Sequence, residues 1–116
     1  MILPDKFGYN INGWSGANDY AQMSADNTSG FNCRYVVGLE YFHVLSPHAS
    51  GRAIDINPWE NPYAAPTGYF PNSWYMYSRS ANNTGVLNKY SVGVFTSRGY
   101  FWGGWWSAAD YQHFQR

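Results

Sequence analysis

Two segments, Ser46-Pro47-His48-Ala49-Ser50-Gly51-Arg52-Ala53-Ile54-Asp55 and Asp110-Tyr111-Gln112-His113-Phe114, constrain the fold more than any other feature of this chain. Two imidazoles and a carboxylate, at His48, His113 and Asp55, form a set that can converge on one zinc ion and leave the fourth tetrahedral position open. If they converge, the middle of the chain must fold against its far end. A second carboxylate, Asp110, stands three residues before His113, where it can take a proton from water, and the chemistry such a set serves is hydrolysis. Only three histidines occur, His43, His48 and His113, so an arrangement that uses two of them carries weight. His48 and Asp55 are separated by Gly51, which permits a turn that returns the second ligand on a strand, and Pro47 stiffens the approach. On residue types alone, other readings stand beside this one. His48 can be a hydrogen-bonded imidazole, and Asp55 a strand-end carboxylate that accepts backbone amides.

A chain of 116 residues is read as one domain, 1–116, large enough to bury a core without staples. Seven basic and seven acidic side chains balance to zero, which argues against a nucleic-acid binder, a class that normally shows a basic stripe. Charged residues make up 12% of the chain and aromatics 21%, so recognition by stacking and neutral hydrogen bonds is expected, a chemistry suited to sugars and peptides. This composition fits a protein working outside the cell. Cys33 is the one cysteine; no internal disulfide can form, and Cys33 reads as a small buried apolar residue. No apolar run approaches the ~20 residues needed to span a bilayer. The first nine residues lack the basic-then-apolar order of a signal peptide.

Along the chain, Met1 to Gly16 reads as a loop wrapping the core, and Ser15 as the cap of a helix over Ala17–Ser24. Asp26 to Gly30 reads as a turn, Phe31–Leu39 as a strand and Ala53–Ile56 as a second strand. Pro58 and Pro62 break regular structure, and Asn61–Ser80 is expected to be an ordered loop covering part of a cleft. Val86, Tyr90 and Val94 mark one face of a helix between Gly85 and Arg98 that ends at Gly99. Phe101–Trp106 is a tight corner, and Asp110–Gln115 a final strand carrying the last candidate ligand. Strands mixed with two or three helices, without βαβ regularity, point to an α+β fold.

The pattern Ser-x-His-x-x-Gly-x-Ala-x-Asp, present as Ser46, His48, Gly51, Ala53 and Asp55, resembles the signature of the M15 zinc peptidases. That family holds D-alanyl-D-alanine carboxypeptidases, D-Ala-D-Ala dipeptidases and L-alanyl-D-glutamate endopeptidases. The Asp110-x-x-His113 pair, the Trp102-Gly103-Gly104-Trp105-Trp106 lead-in and the Ser29–Arg34 stretch are similar to the family as well. The resemblance implies a small α+β domain with a central antiparallel sheet flanked by helices, of the hedgehog/DD-peptidase type. It implies His48, Asp55 and His113 as zinc ligands, Asp110 as general base and Arg34 as the group that binds the scissile carbonyl or its oxyanion. Ser46 becomes a substrate-contacting or ligand-supporting hydroxyl. The implied reaction is zinc-dependent hydrolysis of a peptide bond in peptidoglycan stem peptides, by a monomer that is secreted or held in the cell envelope, with no nucleic-acid partner and no membrane span. Several branches of the family carry Glu where this chain has Asp110, and the chain is compact for a member.

Glu60 is a candidate to orient a ligand histidine, or else a surface carboxylate. His43 is read as structural. Trp102, Trp105 and Trp106 are candidates to line the substrate cleft, with at least one in the core. Two alternatives belong to other classes: a non-catalytic cell-wall or carbohydrate-binding module on the same fold, and an aromatic-rich carbohydrate binder without metal. Asp110 argues against the first, because a module freed from catalysis has no use for an acid at that position.

Overall fold

A computed structural model describes residues 19–76 and 84–116. The main sheet is antiparallel and three-stranded: β1 (Ala53–Asp55), β4 (Phe101–Trp102) and β5 (His113–Gln115), with β5 between the other two. Its register opposes Asp55 to His113, Ile54 to Phe114 and Trp102 to Phe114. Side chains alternate across a strand, so this pairing gives the sheet two distinct faces. One carries Ile54, Trp102 and the fully buried Phe114 into a core completed by Ile56, Leu87 and Val92. The other carries Asp55, His113 and Gln115. A second pair, β2 (Tyr63–Ala65) and β3 (Gly68–Phe70), forms a hairpin. Two helices, α1 (Asp19–Ser24) and α2 (Lys89–Thr96), complete an α+β fold.

The helix α2 starts at a capping box rather than at Gly85. The Asn88 side chain accepts from the Tyr90 and Ser91 amides, and the Ser91 hydroxyl accepts from the Asn88 amide, which satisfies first-turn donors at both ends of the motif. With that start, Val92 and Phe95 face inward, and Phe95 lies 4.5 Å from Phe114 between ring centroids. Tyr90 and Val94 are therefore exposed, contrary to the face expected from the sequence, while Val86 and Leu87 reach the interior from the extended segment before the helix.

Other sequence expectations are corrected. The 31–39 segment is not a strand: Tyr35 makes one bridge to Leu45, flanked by Val36 N–H to Val44 C=O and Ser46 N–H to Arg34 C=O. Val37, Leu39, Tyr41 and Phe42 of this ribbon are exposed, and Cys33 is exposed as well. The 26–30 segment turns at Asp26, but Ser29 then pairs with Asp55 through two backbone bonds of 2.8 and 2.9 Å. The expected loop from Asn61 contains the β2–β3 hairpin. The final strand is short, because Asp110 instead bridges to Tyr63 and a turn separates it from His113. Ser15, Met1–Gly16 and the end of the 61–80 stretch lie outside the described residues.

Just past β1 the interior is polar. Asn57 and Asn61 are fully buried. The Asn61 amide donates to the carbonyls of Ile56, Asn57 and Gly85, and its oxygen accepts from Leu87 N–H at 2.7 Å. Asn57 and Thr28 bond to each other through both side chains and backbone. These bonds tie the segment that leaves β1 to the one that enters α2. Asn61→Leu should strand the Leu87 amide and several carbonyls, at about 1–3 kcal/mol for each group left unpaired. Urea denaturation should show a large fall in midpoint with little change in slope.

Candidate metal centre

His48 sits in a 3-10 turn over Pro47–Ser50, Asp55 at the end of β1 and His113 at the start of β5. Ser46 caps the turn by accepting from the His48 amide at 3.3 Å, Pro47 occupies its first position, and Gly51 closes it at a φ of 68°. A left-handed φ of that kind favours glycine. The turn aims His48 at the cross-strand pair Asp55–His113. The resulting contacts are 3.2 Å from His48 Nε2 to His113 Nδ1, 3.2 Å from His48 Nε2 to Asp55 Oδ2 and 2.9 Å from His113 Nδ1 to Asp55 Oδ1. All three residues are buried.

The outer ring nitrogens decide what this cluster can hold. His48 Nδ1 lies 2.7 Å from the Gly30 carbonyl, which can only accept, so Nδ1 carries the hydrogen. His113 Nε2 faces Gln115 Oε1 at 3.0 Å and donates to it. Each neutral ring then turns a lone pair inward, toward the other ring and toward a carboxylate. Such a set is repulsive unless protons or a cation lie among its members. Two imidazole nitrogens and one carboxylate oxygen are a donor set for zinc, and donor–donor separations near 3.2 Å match the ~3.3 Å edge of a tetrahedron with bonds of about 2.0–2.1 Å. The residues present fit a zinc ion.

Without a metal, protons take its place. Burial disfavours the His113 imidazolium, but the hydrogen bond to the Asp55 carboxylate, its charge and the charge of Asp110 outweigh burial and raise the pKa to about 9. His48 is raised against the same burial penalty by the charge and hydrogen bond of Asp55. Burial pushes the Asp55 carboxyl up, yet the His48 charge and the bonds from both histidines hold it well below the usual carboxylate range.

The cluster opens on a cleft of about 740 Å³ whose lining includes Arg34, Ser46 and Asp110 as well as the three clustered residues. The three candidate ligands, Asp110, Arg34 and Ser46 thus share one cavity. Tyr63, Phe70 and Trp106 supply apolar walls, and Tyr20 of α1 meets Phe70 of β3 edge-on. Trp106 also lies against the His113 ring, 5.4 Å between centroids, while Trp102 is core and Trp105 is exposed. Asp110 is set by its backbone: its N–H donates to Gly103 C=O, and a Cβ on Gly103 would stand 2.7 Å from the Asp110 carbonyl oxygen. Glu60 is not a surface carboxylate: it is buried and packs against Gly85, while the outer histidine nitrogens go to Gly30 and Gln115. His43 is exposed and stacked on Tyr35, apart from the cluster. The partners missed in the sequence are the Gly30 carbonyl, which no residue type announces, and Gln115, whose i+2 spacing from His113 on a strand places it on the same face.

A buried His–Asp–His set beside a further carboxylate and a guanidinium is the equipment of a metal-dependent hydrolase. The chain belongs to the M15_4 peptidase family, whose family model, described as D-alanyl-D-alanine carboxypeptidase, matches residues 42–116. Comparison with curated proteins and with solved structures gave no match.

Two outcomes are expected. Gly103→Ala should displace Asp110 and lower turnover by roughly 10²-fold while zinc content, measured by elemental analysis, stays at the wild-type level. The second concerns pH. A histidine raised to about 9 from an unfolded value of ~6.5 stabilises the metal-free fold fully below ~6.5, and that stability is lost as pH rises through 9. Zinc must displace those protons, so its stabilisation grows with pH. The melting temperature of metal-free protein should fall from pH 6.5 to 9, and the gap between zinc-loaded and metal-free protein should widen.

Proposed function

We propose that this peptidase hydrolyses a peptide bond in peptidoglycan stem peptides, as a zinc-dependent D-alanyl-D-alanine carboxypeptidase or a related endopeptidase. The observation that carries the reading is the convergence of His48, Asp55 and His113 in the cleft that also holds Asp110 and Arg34. Among the described residues no helix is long and apolar enough to cross a membrane. We place the protein outside the cytoplasm, secreted or in the cell envelope, acting as a single catalytic domain and as a monomer.

His48, Asp55 and His113 would hold the metal, and zinc, when bound, supplies a Lewis acid that acidifies water and polarises a carbonyl. Asp110 takes the proton of the attacking water at its carboxylate and returns it to the leaving amine. Arg34 meets the scissile carbonyl oxygen as negative charge grows there; its planar fork is charged throughout and needs no reorganisation. Ser46 supports the metal through the turn that it caps, and the aromatic walls at Tyr63 and Trp106 exclude water and bind the flanking peptide.

Incubation of the zinc-loaded protein with purified muropeptides, followed by mass spectrometry, tests the reading. Zinc-dependent loss of terminal D-alanine or scission of the stem supports it, and an unchanged muropeptide profile rejects it. Asp110→Ala should keep zinc and fold but lose about 10²–10⁴-fold in turnover. Arg34→Ala should lower kcat by about 10²–10³-fold with a smaller change in KM, because the donor acts chiefly in the transition state.

A further inference from the structure

We infer that Gln115 is the positioning residue that decides which nitrogen of His113 is offered to the metal. The inference rests on the metal-centre reading above and assigns a role to a residue outside the family's signature segments. Gln115 follows His113 by two residues on β5 and shares its face of the sheet. Its backbone is held from both sides, opposite Ala53 of β1 and Phe101 of β4, so its side chain is delivered in fixed register beneath the His113 ring. Gln115 Oε1 stands 3.0 Å from His113 Nε2. An amide oxygen can only accept, so the hydrogen is kept on Nε2 and the lone pair on Nδ1, where Asp55 and His48 meet it at 2.9 and 3.2 Å.

The two histidines are not treated alike. His48 is oriented by the Gly30 carbonyl, a backbone acceptor that substitution does not remove. The acceptor for His113 is a side chain, so it is the arm of the centre that sequence change can tune. The choice of amide over carboxylate matters in the same way. A neutral acceptor fixes the tautomer without adding charge, and the only negative charge on the ligand set itself is that of Asp55. A carboxylate at this position would orient the ring equally and make it a stronger donor.

The test uses the full chain and reads zinc affinity rather than turnover. Zinc dissociation constants are measured by competition with a chromophoric chelator for wild type, Gln115→Met and Gln115→Glu, and long-range 1H–15N spectra are recorded on zinc-loaded wild type. Gln115→Met, similar in shape but without the acceptor, should bind zinc about 10–100-fold more weakly. Gln115→Glu should bind at least as tightly as wild type. The spectra should show His113 protonated at Nε2 and shifted by metal at Nδ1. Gln115→Met binding within about twofold of wild type, or a spectrum with the hydrogen on Nδ1, overturns the role of Gln115 and leaves the metal centre standing. A wild type that takes up no zinc overturns both. If Gln115→Met does not fold, the wild-type spectrum decides alone.

Discussion

The structure depends on holding two imidazole lone pairs and a carboxylate within 3.2 Å of one another inside a protein. No arrangement of neutral partners satisfies that set. Each ring has spent its hydrogen on an outside acceptor, and Asp55 has none to give. The centre is therefore a demand for positive charge, met by protons at the expense of strongly displaced titrations, or by a cation. Breaking the set by removing Asp55 would leave two inward-facing nitrogens with nothing between them, a cost borne by the fold as well as by the chemistry.

That demand is made in a small molecule, and the main sheet shows how it is met. Neighbouring residues of β5 do opposite jobs: Phe114 is the most buried side chain of the core, and His113 begins the site on the reverse face. A one-residue slip of β5 would exchange them, so the hydrophobic core and the His–Asp–His cluster enforce each other's register. Beyond the sheet the interior is held by amides rather than by apolar mass. Asn57 and Asn61 replace what would be core in a more hydrophobic chain, and they hold the end of β1 at a distance the ligand turn can use.

The α+β class was legible in the sequence, and so was the grouping of the candidate site residues, whereas the bounds of the individual elements were not. His48, Asp55, His113, Asp110, Arg34 and Ser46 are chemically specific residue types at unusual spacing, and all line one cleft. Secondary structure was read through propensity, which fails where tertiary support decides. Val36 and Val37 have strand propensity, but a strand needs a partner along its length, and among the described residues that ribbon makes a single bridge, Tyr35 to Leu45. The 86/90/94 stripe was displaced because Asn88 caps the helix later than the stripe assumed. Cys33 read as core because free cysteine is usually buried, but the segment that carries it runs over the surface. The Gly30 carbonyl could not be read at all, since backbone acceptors leave no mark on residue identity.

The place of β5 in its sheet governs how the molecule comes to exist. Among the described residues it is made after the other four strands, yet it is the middle one of its sheet, and β1 and β4 do not pair with each other. Asp55 must wait 58 residues for His113, a separation whose closure is entropically costly and slow. Sheet closure and ligand delivery are consequently one event. A nascent chain still short of β5 can form the β2–β3 hairpin and holds His48 and Asp55, but it has neither the main sheet nor His113, so the His–Asp–His cluster is completed in one step, after nearly all of the described fold has been made.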